Sequence, residues 1–299
     1  MMQTVTVGEL LMTIPVGNRL GEGVLWDELH QSIWWTDILS AVIYRFHLDN
    51  RTLDTFPMPH RVGSFGLTAM PTTLIVAFDI GIAFYDLEDK SLTWLANPEA
   101  QIEGNRFNDG RIDRQGRFWA GTMVEQRQSA AQHAALYCID EKGHCHQRLT
   151  YLEISNGLCW SPDGRTLYHA DSPTHQIHQY DFDIQTGLLS RKRLFATTSN
   201  RIFPDGSDVD AEGYLWNAQW GGGQVVRYRP NGEVDLILKL PVTHPTSIAF
   251  GGERRDLLIV TSAKHSLEPS QLEQEPQAGD VFIYQLNGIC GLDSPRFNG

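Results

Sequence analysis

Cysteine is scarce in this chain: Cys138, Cys145, Cys159 and Cys290 are the four among 299 residues. They show neither CxxC spacing nor a disulfide framework for a chain this long, so they read as free thiols. Positive charge is short as well. Twenty-four Lys and Arg stand against 36 Asp and Glu, a formal net charge of −12, and neither a nucleic acid nor an anionic lipid surface would find a basic stripe. No apolar run approaches the roughly eighteen residues of a membrane-spanning helix, and MMQTVTVGELLMTIPVG lacks the basic and apolar regions of a secretion signal. The expectation is a cytoplasmic protein with no membrane, nucleic-acid or obligate protein partner. Linkers and low-complexity tracts are also missing, and residues 1–299 read as one domain. There is no G-x-S-x-G elbow, and no Lys-Ser/Thr follows Gly221-Gly222-Gly223, which reads as a strand-connecting turn rather than a phosphate loop.

What is abundant is glycine, 27 residues, with eight tryptophans in short β-branched or aromatic stretches. Three segments share a grammar: Asn108-Asp109-Gly110, Asn156-Gly157 and Asp205-Gly206 each precede a short apolar run, with a turn glycine eight positions after the Asx residue, at Gly116, Gly164 and Gly213. The same register recurs from Glu22, Ser64 and Thr246. Each copy returns as an aromatic or β-branched strand (SIWWTDI, LIVAFDI, RFWAGTM, TLYHADS, YLWNAQW, DLLIVTSA), then a third and usually a fourth. A period of about 40–55 residues suits one four-stranded blade, and six copies predict an all-β, six-bladed β-propeller. The last copy lacks its fourth strand, and Val5 to Ile14 is unassigned, so this N-terminal segment is expected to close the ring. A two-sheet sandwich would not need six copies in one register.

If the first strand of each copy is innermost, Glu22, Ser64, Asn108, Asn156, Asp205 and Thr246 ring one mouth of the central channel. Alone, each Asx-Gly pair is an ordinary turn former. Jointly, two carboxylates and two amide oxygens without Cys or His make the ligand set of a hard divalent cation such as Ca²⁺, Mg²⁺ or Mn²⁺. The tract His144-Cys145-His146 follows an evident turn, has no second pair at zinc-finger spacing, and reads as an exposed hairpin.

GEGVLW at Gly21, NRFNDGRIDRQGRFWAGTM at Asn105, SNGLCWSPDGRTLYHADS at Ser155, FPDGSDVDAEGYLWNAQW at Phe203 and TSAKHSL near Thr261 together resemble the sugar-lactonase family of gluconolactonases and regucalcin (senescence marker protein) over nearly the whole chain. The resemblance implies a six-bladed propeller with one divalent metal ion (Ca, Zn, Mn, Mg or Fe) on Glu22, Asn156 and Asp205, and a substrate pocket that includes Arg106 and Asn108. It also implies an acidic residue contacting substrate hydroxyls where this chain has Gln126, beside Glu125. Gln126 can still hydrogen-bond a hydroxyl, but without a carboxylate's preference for donors.

The wording of NRFNDGR and WAGTM is similar to bacterial aldonolactonases, which implies hydrolysis of a pentono- or hexono-1,4- or 1,5-lactone to the aldonic acid. Asp205 is the candidate general base and Arg106 the group that orients the lactone. His60-Arg61 stands where it could reach the pocket mouth, whereas Asp171 and Trp220 are expected to serve the blade fold. Two other readings remain: a non-enzymatic calcium-binding or interaction propeller, and a metal-dependent esterase or organophosphate hydrolase using the same cage.

Overall fold

The computed structural model describes residues 8–299, which form six four-stranded antiparallel sheets arranged as the blades of a β-propeller. Blade one holds β2 (Gly21–Asp27), β3 (Ser32–Asp37), β4 (Val42–His47) and β5 (Leu53–Pro57). Blade two holds β6 (Val62–Leu67), β7 (Thr73–Phe78), β8 (Gly81–Asp86) and β9 (Leu92–Ala96), and blade three β10 (Asn105–Ile112), β11 (Phe118–Val124), β12 (Ala134–Ile139) and β13 (Cys145–Leu152). Blade four follows as β14 (Ser155–Trp160), β15 (Thr166–Asp171), β16 (Gln176–Phe182) and β17 (Leu189–Thr197), and blade five as β18 (Phe203–Val209), β19 (Leu215–Trp220), β20 (Gln224–Tyr228) and β21 (Val234–Lys239). The last blade contributes β22 (Pro245–Gly251), β23 (Leu257–Ser262) and β24 (Val281–Leu286), and its outer strand is β1 (Gly8–Ile14), paired Gly8 to Leu286 and Ile14 to Val281. The expected closure by the N-terminal segment is therefore present; residues 5–7 of that expectation lie outside the described residues. No helix among the described residues is long and apolar enough to cross a membrane.

The first strand of every copy is innermost, and all six carry a register shift against the second strand within three residues of the recurring position. A bulge at this place bends the strand and re-aims the side chain beside it. The Asx-Gly pairs consequently lie inside strands rather than at hairpin turns, contrary to what either pair alone suggests. Gly157 takes φ +67° at its bulge, a left-handed conformation that a β-carbon would strain, and a β-carbon on Gly206 would come within 2.7 Å of the Ser247 Cα on the next inner strand.

Apolar residues from facing blades make one core cluster at each of the six junctions; Trp34, Ile43, Phe65, Leu74 and Phe78, for example, seal blade one against blade two. The turn between first and second strands is held in blades three and five by a buried aspartate. The Asp210 Oδ1 accepts the backbone N–H groups of Glu212 and Tyr214, both at 3.0 Å, and Oδ2 accepts Trp216 Nε1 at 2.9 Å and Arg227 Nε at 2.8 Å. Asp113 repeats the device with Gln115, Arg117 and Trp119. Asp210→Ala would leave a buried indole N–H without its acceptor and take from Arg227 one of its three carboxylate partners, a change worth about 3 kcal/mol. A lower thermal midpoint is expected by calorimetry; an unshifted one would show the turn to be held by its backbone alone.

Beneath the blades, the C-terminal segment crosses the far end of the channel. Arg296 donates to the Thr68 carbonyl at 2.8 Å, and Phe297 and Asn298 donate backbone N–H groups to Leu67 and Gly116.

Candidate metal centre and substrate pocket

The bulges place Glu22 (7 % exposed), Asn108, Asn156 and Asp205 (5 % exposed) around the channel at the end where the inner strands begin. Hydrogen bonds then decide which oxygens are committed. Arg106 donates from Nη1 to Asn108 Oδ1 at 2.9 Å, and Asn108 Nδ2 donates to Asn156 Oδ1 at 2.9 Å and to the Ser155 carbonyl at 3.1 Å. Asn156 Nδ2 donates to Ser172 Oγ at 2.8 Å, which donates to the Pro204 carbonyl at 2.7 Å, next to Asp205. This polar run through three blades fixes the orientation of both amides. Register alone offers Asn108 as an oxygen donor to a cation; in the structure its oxygen is engaged by Arg106. Asn156 keeps a lone pair on Oδ1 beyond the one used by Asn108.

Asp205 Oδ1 is buried and has no hydrogen-bond partner. Leaving a carboxylate oxygen so is costly unless a cation or proton meets it. Burial first, and then the charges of Glu22 and Asp109, push the Asp205 carboxyl well above the usual range. Burial and Asp109 likewise push Glu22 up to about 8. Asp109 is itself raised by burial, against the opposing charge of Arg111. Buried acids that penalise one another, with Asp205 Oδ1 free, fit a hard divalent cation, with Glu22, Asp205 and the Asn156 oxygen as the candidate donors.

Asp109 is absent from a reading that takes one residue per blade. It stands within the Asn108-Asp109-Gly110 triplet, and its Oδ2 accepts the Leu158 N–H at 3.1 Å.

The pocket wall is a second group. Arg106 Nε donates to Glu125 Oε1 at 2.7 Å, and Arg61 donates from both terminal nitrogens to the two Glu125 oxygens, each at 3.0 Å. Arg61 Nε also reaches Asp79 at 3.0 Å. Against the cost of burial, hydrogen bonds from Arg61 and Arg106 hold Glu125 below its ordinary value. Gln126, the residue singled out in the sequence, is exposed, and its backbone N–H binds the Gly104 carbonyl. Its neighbour Glu125 is the one joined to Arg106. Of His60-Arg61, the arginine belongs to this wall, while His60 packs on Phe78 and Trp94.

Other candidates settle into the scaffold. Asp171 accepts the backbone N–H groups of Glu153 and Ile154, and Gly221-Gly223 connects β19 to β20. Trp220 stacks on His244 with ring centroids 3.9 Å apart. Ser64 is fully buried, as is the Ser155–His169 pair at 2.9 Å, and neither serine is placed to attack a substrate.

A family pattern described as the SMP-30/gluconolactonase/LRE-like region matches residues 20–264. The chain is 36 % identical to the 6-deoxy-6-sulfogluconolactonase of Pseudomonas putida over 94 % of its own length and 95 % of that protein. It is 35 % identical to the L-arabinolactonase of Azospirillum brasilense, covering 100 % of this chain and 99 % of the other. Among solved structures, a calcium-binding protein, regucalcin, from Agrobacterium tumefaciens superposes with a TM-score of 0.89 at 29 % identity, over 96 % of this chain and 97 % of that one.

Proposed function

Since the chain belongs to the SMP-30/gluconolactonase/LRE-like family, we propose that it hydrolyses a sugar lactone to the aldonic acid with the help of one divalent metal ion. The observation that carries this reading is the Asp205 oxygen, buried and unpartnered beside Glu22 and at the end of the Arg106–Asn108–Asn156 run. Glu22, Asn156 and Asp205 would hold the ion, which when bound supplies Lewis acidity for the lactone carbonyl. The oxygen-only donor set suits a hard cation, Ca²⁺ foremost, and the Agrobacterium relative is named as calcium-binding.

Arg106 points its guanidinium into the same group of side chains, where it orients the lactone and meets negative charge growing on its oxygens. Asn108, held between Arg106 and Asn156, keeps that guanidinium in register with the ligands. Asp205 takes the proton of the attacking water on a carboxylate lone pair that the ion would leave free, as the new C–O bond forms. It returns that proton to the ring oxygen when the acyl C–O bond breaks, so water and lactone become the hydroxy acid. Gln126 would serve as a hydrogen-bond partner for a substrate hydroxyl.

The substrate class is a pentono- or hexonolactone, in line with relatives named for arabinolactone and sulfogluconolactone. A pH-indicator assay across such lactones, after chelation and with single metals restored, is expected to show turnover that returns with the metal. Silence on every lactone with every metal would defeat the proposal and leave a cation-binding propeller in its place.

Glu125→Gln keeps the shape of the wall but removes the charge shared by Arg61 and Arg106. An increase in KM of about tenfold with a smaller change in kcat is expected. Unaltered steady-state kinetics would free Arg106 from dependence on Glu125.

A further inference from the structure

The hairpin joining β12 to β13 lies on the outer edge of blade three, with the innermost strand three strands away, a separation of about 14 Å. It is the exposed hairpin expected for His144-Cys145-His146. Sequence spacing concealed that the turn folds Asp140 back between the two imidazoles. Asp140 Oδ1 accepts the backbone N–H groups of Lys142 and His144, both at 2.9 Å, which turns Oδ2 outward. That oxygen lies 3.1 Å from His144 Nδ1 and 3.1 Å from His146 Nε2, and the three ligating atoms fall within 4.8 Å of one another. Residues two apart at the start of a strand share a face, so the histidines converge while Cys145 points the other way.

We propose that Asp140, His144 and His146 form a second metal site, separate from the channel, that takes a borderline transition-metal ion, Zn²⁺ in the first instance. Tetrahedral zinc with bonds of about 2.0–2.1 Å separates its ligand atoms by about 3.3 Å. Two of the three edges of the triad are close to that length before any ion enters. The fourth corner faces solvent, since His144 is 66 % exposed and His146 42 %, so a water can complete the sphere. Two imidazoles and one carboxylate favour Zn²⁺, Ni²⁺ or Cu²⁺ over Ca²⁺ or Mg²⁺, the reverse of the all-oxygen set at Glu22, Asn156 and Asp205. The two sites would therefore sort metals by ligand softness within one chain. A metal-restoration experiment with Zn²⁺ would load both, and one with Ca²⁺ only the channel.

The test is calorimetric titration of Zn²⁺ into tag-free protein held in excess Ca²⁺, so that the channel is filled. The wild-type chain is expected to take up one equivalent of Zn²⁺ saturably, and Asp205→Asn to do the same. The double variant His144→Ala/His146→Ala is expected to lose that equivalent, and Asp140→Asn to bind at least tenfold more weakly. Thermal midpoints of the metal-free variants, matched to wild type, show that the fold is intact; the Zn²⁺-induced rise in midpoint is expected in wild type and not in the double variant. Cu²⁺ loaded in place of Zn²⁺ is expected to show nitrogen hyperfine coupling by electron paramagnetic resonance, lost with both histidines. No saturable Zn²⁺ uptake by the wild type, or uptake undiminished in the double variant, overturns the proposal.

Discussion

Asp205→Asn is expected to reduce lactone turnover by about a thousandfold or more while the circular dichroism spectrum stays that of the native chain. The size follows from two losses at one residue. General-base assistance contributes about 10²- to 10⁴-fold, and an amide oxygen binds a cation more weakly than a carboxylate. Survival of the fold follows from burial and charge. Asp205 Oδ1 has no hydrogen bond to lose, and its ionised form is penalised by burial and by Glu22 and Asp109. Neutralising it relieves that repulsion, so the metal-free variant is expected to be at least as stable as its parent. Saturating metal separates the two contributions: activity that returns at high cation concentration would assign Asp205 to binding alone, and activity equal to wild type at every concentration would remove it from the reaction.

The second large effect is on stability, and its sign comes from the same acids. In the unfolded chain Glu22 titrates at its ordinary value of 4.5, whereas in the folded, metal-free protein it is pushed up to about 8. Between those values the native state holds a proton that the unfolded state has released. Stability of the metal-free protein is thus greatest below about pH 4.5 as far as this group is concerned, and declines as pH rises through about 8. Asp205, raised in the same direction, steepens the decline. A divalent cation bound at these oxygens would replace the protons and reverse the penalty. Chelated protein is expected to lose more than about 5 °C of thermal midpoint relative to the Ca²⁺-loaded form near pH 8, with the gap closing near pH 5 as protons compete for the same oxygens. Midpoints measured in matched buffers decide it: a gap independent of pH would mean that the ion binds elsewhere than at these carboxylates.

Much of this architecture can be read from one chemical requirement that leaves a local mark. Each inner strand bulges beside its channel residue, and the strand then needs a fixed number of residues to reach the turn. Glu22-Gly23, Asn156-Gly157 and Asp205-Gly206 carry that mark in adjacent positions, and Gly164 and Gly213 carry the turn. The closing strand β1 was legible for a similar reason, because one copy lacked a strand and one segment lacked a partner. What stayed hidden is joined across the fold. Glu125 meets Arg61, 64 positions away, through a contact with no sequence spacing to announce it. Asp109 follows a residue already assigned to the ring, and ordinary strand alternation gives no reason to expect a second acid in the channel. Asp140 lies on the far side of a turn from the histidines it joins, so the His-x-His spacing shows only two of three ligands.

The seam of the ring would give the proposed cation another part to play. The strands β1 and β24 are joined by backbone hydrogen bonds and apolar packing, with no chain connection between them, and Glu22 belongs to the first blade beyond that join. Across it, Thr246 donates to the Gly21 carbonyl at 2.5 Å, so the ring position that offers no ligand serves as a clasp beside one that does. An ion held by Glu22, Asn156 and Asp205, as proposed, would tie the first blade to the fourth and fifth, and any parting of the seam would stretch that tie. By thermodynamic reciprocity, whatever free energy the ion adds to a closed ring, a closed ring adds to the ion's affinity. Fraying of β1, far from any substrate, would then be felt at the metal as weaker binding.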